Sequence, residues 1–141
     1  MKNTISRESL RNLILEEMDR TLPRCQRTQA SVDSIPIIIE IADSDFLRDR
    51  GLMFRQSMGE DEGMLFMFPE SDQRGFWMKN TYIPLSIAFL DDDGVILSIA
   101  DMSPHDLNTT YSEGPARCAL EMNQGWFNKN GIVPGCRVLV S

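Results

Sequence analysis

The chain has little of what metal centres and disulfide frameworks are built from. It carries one histidine, His105, and three cysteines, Cys25, Cys118 and Cys136. No two cysteines form a Cys-x-x-Cys pair, and His105 lies thirteen residues before Cys118. A structural zinc site draws four such ligands from tight local pairs, so no metal site is expected. Cys118 and Cys136 could face each other across a sheet, but two buried thiols in a reducing compartment is the simpler reading. Long apolar runs are also missing. There is no stretch of eighteen apolar residues to form a membrane-spanning helix. Charges recur through residue 20, where a secretory signal would need an apolar segment. The expectation is a soluble cytoplasmic protein with no membrane partner.

A basic surplus is absent as well. There are 14 basic and 21 acidic residues, a net charge of -7. Proteins that track a phosphate backbone show the opposite balance, so no nucleic-acid partner is expected. The charge is uneven: residues 1–34 hold six basic and five acidic side chains, and residues 35–141 hold eight and sixteen. There is no Gly-x-Ser-x-Gly elbow and no phosphate-cradling glycine loop, so nothing names a nucleophile or a nucleotide cofactor. Asp91-Asp92-Asp93-Gly94 fails as a calcium loop, because Met102 stands where the twelfth-position glutamate belongs. It reads as a hairpin turn.

What is present suits one domain with one core, at 42% apolar residues in a chain of 141. Residues 6–20 have helical spacing, with Leu10, Leu13, Ile14 and Met18 on one face and Ser6 as N-cap. Pro23 ends that helix, and the polar run 24–34 reads as a linker. Residues 1–34 are thus an attachment arm, and 35–141 a single compact domain.

Strands are expected at 35–41, 63–68 (stopped by Pro69), 75–78, 85–90, 95–99, 117–122 and 136–140. Ser44 or Asp43 caps a short helix that ends at Gly51, and Gly125-Trp126-Phe127 starts a helical turn. Val95, Leu97 and Ile99 should face inward, and a loop should carry Pro104, His105 and Tyr111. The fold class is mainly β (α+β): a small barrel-like, highly curved antiparallel or mixed sheet with two or three short helices.

Three charges interrupt apolar motifs. Lys79 follows Phe76-Trp77-Met78 and precedes Asn80-Thr81. It is either a partly enclosed cation for an anionic or carbonyl group, or a lysine paired with an acid while its stem covers Trp77. Glu121 lies between Leu120 and Met122, so alternation puts it on the other face, with Ala119. If it enters a pocket, Lys79 or Arg55 is the natural partner. Arg55 offers a planar fork for a carboxylate or phosphate, or else a salt bridge to Glu60, Asp61 or Glu62. Trp77, Lys79, Asn80, Arg55 and Glu121 are the candidate ligand-binding residues; none is assigned a catalytic role.

Several runs occur in an order that identifies a family: Arg50-Gly51-Leu52-Met53-Phe54-Arg55, Gly63-Met64-Leu65-Phe66, Phe76-Trp77-Met78-Lys79-Asn80-Thr81, Ile83-Pro84-Leu85 and Ala119-Leu120-Glu121. Together they resemble domain of unknown function family number 192, over roughly residues 35–141. The resemblance implies a β-rich barrel-like domain and brings no established reaction. One departure is Ser86, where the family usually has an aspartate after the Pro-Leu pair; it puts any role of that carboxylate in doubt. Lys2 followed by the run 10–17 is similar to an N-terminal segment on proteins of large tailed phages, which implies a phage protein with a docking tag.

The leading expectation is a non-enzymatic binding module whose polar cleft takes a small or anionic ligand, without a cofactor. The alternatives are an interaction protein, virion-associated if phage-encoded, that docks a protein partner through residues 6–20, and an enzyme using a Lys79–Glu121 pair.

Overall fold

β-Branched and aromatic residues set the strands of this protein, and polar turn residues divide them. The computed structural model describes residues 6–21 and 23–141, with side chains for 6–14 and from 23 onward. In chain order the elements are α1 (Arg7–Thr21), β1 (Gln26–Val32), β2 (Ile35–Ala42), α2 (Asp45–Arg50), β3 (Glu62–Phe76), β4 (Leu85–Leu90), β5 (Ile96–Met102), β6 (Thr110–Asn123), α3 (Trp126–Lys129) and β7 (Val138–Val140). Among the described residues, no helix is long and apolar enough to cross a membrane.

The strands form one curled half-barrel sheet in the order β5-β4-β6-β3-β2-β1-β7. Only β2 and β3 pair in parallel; every other neighbour is antiparallel. Curling brings the two edges together at one corner. Val95 bridges Arg137, and Ile96 and Gly94 exchange backbone hydrogen bonds with residues 135–138 at 2.8–2.9 Å. Closure of this kind removes exposed ladder groups. Gly94 makes the corner fit: it is left-handed (φ 81°), and a Cβ there would stand 2.5 Å from the carbonyl oxygen of Val138.

Both faces of the sheet are covered. One core gathers Val32, Ile37, Ile39, Leu65, Leu120 and Met122 with Trp126, Phe127 and Ile132. The other gathers Leu52, Met64, Phe66, Met78, Leu85, Ile87 and Phe89. All six residues of β4 are buried. Cys25, Cys118 and Cys136 are free thiols, and β6 and β7 are not neighbours, so Cys118 and Cys136 do not face each other across a strand pair. Asp91 fastens the 91–94 turn by accepting from Asp93 N and Val95 N, as the hairpin reading requires.

The structure corrects the sequence reading in five places, and the strand expected at 75–78 is the far end of β3, which closes at Phe76. The run 24–34 is no linker over its length: 26–32 is β1, held between β2 and β7. Only Ala30 and Val32 of β1 are buried, so its apolar signal is weak. Its hairpin uses Asp33 and Ser34 in left-handed conformations (φ 44° and 71°), a two-residue turn without the usual glycine. Pro69 does not stop the strand. β3 runs through it because the ladder to β6 shifts register between Met67 and Asp72, where no proline N–H is needed. Opposite Phe89 and Leu90 of β4 the β5 register slips by one residue, so Ile96 is buried and Leu97 faces solvent. Tyr111 lies on β6 rather than in a loop.

Candidate functional site

Residues paired in register share a face, so the sheet carries a row across five strands: Glu40, Met64, Glu121, Ile87 and Ala100. Glu121 thus stands mid-sheet between Met64 and Ile87, and it is only 4% exposed. Burial alone pushes its carboxyl up to about 8, with no cation and no hydrogen bond opposing the rise. At neutral pH the group is mostly an uncharged acid. Among the described residues no protein donor reaches it.

Glu121 and Leu85 line an open cleft of ≈ 640 Å³. One wall is α2 with its exit Gly51–Met53; the other is the bent half of β3, from Phe66 to Phe76, continuing into residues 77–81. Ser44 caps α2 by accepting from Leu47 N at 3.2 Å. The wall cations are Arg48, Arg50, Arg74 and Lys79, against the carboxylates of Asp45 and Asp49. Arg48 is paired with Asp45, and Arg74 and Lys79 give the lining a local positive character in a chain of net charge -7.

The two arginines nearest Phe68 share its ring, Arg74 at 3.9 Å and Arg48 at 5.1 Å from the centroid. Arg48 donates to Met67 O and to Asp45 Oδ1, each at 2.7 Å. Arg74 donates to the carbonyls of Ala116 and Glu70, which leave its charge uncompensated. Lys79 is exposed; its Nζ lies 5.2 Å from the Trp77 ring centroid.

The rim is conformationally strained. Phe54, Asn80 and His105 are left-handed (φ 68°, 53° and 62°). Phe54 N donates to Asn80 O at 2.8 Å, His105 N to Thr81 O at 3.2 Å, and Met78 N to Asp106 O at 2.9 Å. Two loops thus hold the 77–81 segment in place, the one after α2 and the one that carries His105 and Asp106. Such conformations concentrate at ligand sites, where the surroundings enforce them.

Of the five residues chosen from sequence, Trp77, Lys79, Asn80 and Glu121 line the cleft. Arg55 does not: its guanidinium makes a two-pronged ion pair with Glu40, with Nη2 to Oε1 at 3.0 Å. Among the described residues no ion pair joins it to Glu121 or to the acids at 60–62. Glu60 pairs with Lys129, Glu62 with Arg27, and Asp61 accepts from Trp126 Nε1 at 3.0 Å. The proposed Lys79–Glu121 and Arg55–Glu121 pairs do not form. Arg48, Arg50, Arg74, Asp45 and Asp49 were missed; arginines close to Phe54 and Phe68 in sequence were the available signal. Ser86 is aligned with Met122 and so lies on the face opposite Glu121. Its hydroxyl bonds Asp101 at 2.6 Å and accepts from Gly125 N at 3.0 Å. The departure at Ser86 thus leaves the cleft unaffected.

No curated protein matches the chain. Two crystal structures are similar. A protein of Sinorhizobium meliloti 1021, described as a candidate transcription regulator, is 32% identical with a TM-score of 0.82, over 84% of this chain and 97% of its own. A protein of unknown function from Novosphingobium aromaticivorans DSM 12444 is 35% identical with a TM-score of 0.76, over 81% of this chain and 85% of its own. A family model matches residues 27–140, nearly the whole sheet, and on that match the chain belongs to DUF192, the family described as "Uncharacterized ACR".

Proposed function

We propose that the cleft binds a small anionic molecule, which makes this domain a binding module. The observation that carries the reading is Glu121: a carboxyl on a buried residue that lines the same cleft as Arg74 and Lys79 and takes no hydrogen bond from the described residues. Among the described residues no fully buried side-chain oxygen lacks a partner, so the Glu121 oxygens are not sealed from the cleft, and a ligand there can replace water on them. Lys79 and Arg74 supply attraction at the lip and wall, and Trp77 supplies an apolar platform.

An acid–base role for Glu121 is the second reading, because a carboxyl held near neutrality suits proton transfer. No Lys79 pair supports it among the described residues. The description of the Sinorhizobium relative, carried to this chain, would call for a DNA-facing basic surface, and a net charge of -7 weighs against one.

The test is thermal-shift screening with small organic acids, sugar phosphates and neutral sugars. Ligands that bind only the folded state raise Tm by mass action. The reading expects anions to shift the wild type, and Arg74→Met to weaken them roughly tenfold, as loss of about 1.4 kcal/mol implies. A panel in which only neutral sugars bind, or nothing binds, would overturn it.

A further inference from the structure

We propose that the cleft takes an oxyanion, a carboxylate or a phosphate, which accepts the acid hydrogen of Glu121 and binds only while Glu121 keeps that proton. This rests on the binding-cleft reading and narrows its ligand class. The geometry carries it. Glu121 is fixed between Met64 and Ile87 on a buried row and lines the cleft. Among the described residues no donor is directed at it, so no hydrogen bond holds it in the ionised form that a cationic ligand would need. A protonated carboxyl offers one strong donor, and an oxyanion is the acceptor that uses it best.

The charges around the site agree. On β6, Arg117 is engaged by Phe68 O and Asp92, and Asn123 is engaged by the carbonyls of Met58 and Gly59. On β2, Glu40 is bound to Arg55 across the Met64 row. β4 presents only Leu85, Ile87 and Phe89. On α2, Arg48 is paired with Asp45. That leaves Arg74 from β3 and Lys79 from the loop as the cations on the cleft lining. An ammonium ligand would meet these two cations on entry; an oxyanion is drawn in.

Binding is a proton-retaining association in which no covalent bond changes. Ionised Glu121 would oppose a bound oxyanion at close range, so affinity should fall as pH rises through the titration of Glu121. Isothermal titration of the full chain with acetate, succinate, citrate and inorganic phosphate at about pH 7 and about pH 9.3 reads this directly; the carboxylates keep constant charge over that window. Wild-type affinity for a binding probe should drop about tenfold or more between the two values. Glu121→Gln, which keeps an N–H donor and cannot ionise, should bind at both values with little change.

Which probe binds separates carboxylate from phosphate recognition. Equal wild-type affinity at both pH values sinks the proton coupling and leaves the anion cleft standing. Tighter binding of ethanolamine at high pH would reverse the assignment and make Glu121 a cation receptor. No binding by any probe overturns both proposals. Circular dichroism of Glu121→Gln guards against reading a folding defect as lost binding.

Discussion

At the scale of single residues, Glu121 ties the site to the stability of the fold. An unfolded glutamate titrates near the ordinary value of 4.5, and burial pushes the folded carboxyl to about 8. Between these values the folded state holds a proton that the unfolded state has released, so stability falls as pH rises across that window. Below it the burden vanishes, and above it the loss is complete. Glu121→Gln removes the titration. Its Tm advantage over the wild type should grow from about pH 5 to pH 8 and then level off, at a stabilisation on the order of a few kcal/mol. Parallel melting curves at both extremes and between would refute this. A second residue-scale constraint is Gly63, where a Cβ would fall on Met122 Sδ and 2.5 Å from Glu121 O. Gly63→Ala must push β3 from β6 beside the site, and chemical denaturation should show a loss of about 1–3 kcal/mol; an unchanged midpoint would mean the strands yield freely. The face of Glu121 was legible from Leu120, Glu121 and Met122 alone, since strand alternation is strict. Its lack of a partner was not. Arg55 chooses Glu40, fifteen residues earlier, and that choice depends on how the loop after α2 returns over β2.

At the scale of elements, the cleft exists because β3 bends and α2 covers it. The bend comes from the register shifts at Met67–Asp72 and Gln73–Gly75, which turn Arg74 and Phe76 inward to meet Phe68. Pro69 was visible in the sequence, but its meaning depends on whether β6 continues opposite it, a long-range fact no local pattern carries. The same holds for β5, where one slipped residue turns Leu97 out. Apolar, β-branched β2 and capped α2 were readable because local signals decide them. The loop with Lys79 is held by backbone bonds from Phe54, His105 and Met78, not by the lysine side chain. Lys79→Ala should thus lose only the exposed cation–π contact with Trp77, about 0.5–1 kcal/mol. Anion affinity should fall with the fold intact. A collapse in Tm would instead make the lysine a structural member of the rim.

At the scale of the whole molecule, the sheet closes on itself, and this moves the boundary of the folding unit. The sequence suggests cutting at residue 34, because 24–34 is polar and reads as a linker. In the structure β1 joins β2 to β7 through seven register pairs on one side and three on the other. Ser141 N also donates to Gln29 O at 3.1 Å. Removing β1 would strip β7 of the strand it pairs with and take Ala30 and Val32 from the core. Among the described residues α1 joins no strand ladder, and its Leu10, Leu13 and Ile14 are about half exposed. We propose that α1 is an attachment arm outside the folding unit, with Leu10, Leu13 and Ile14 left for a protein partner. Two truncations separate these roles. Deleting residues 1–23 should leave a cooperative melting transition within a few degrees of the full chain, because the ladder is untouched. Deleting residues 1–34 should abolish that transition, since a two-edged gap must open between β2 and β7. If the shorter deletion also unfolds the protein, α1 belongs to the fold rather than to a partner. If the longer one folds normally, β1 is dispensable and the closure argument fails.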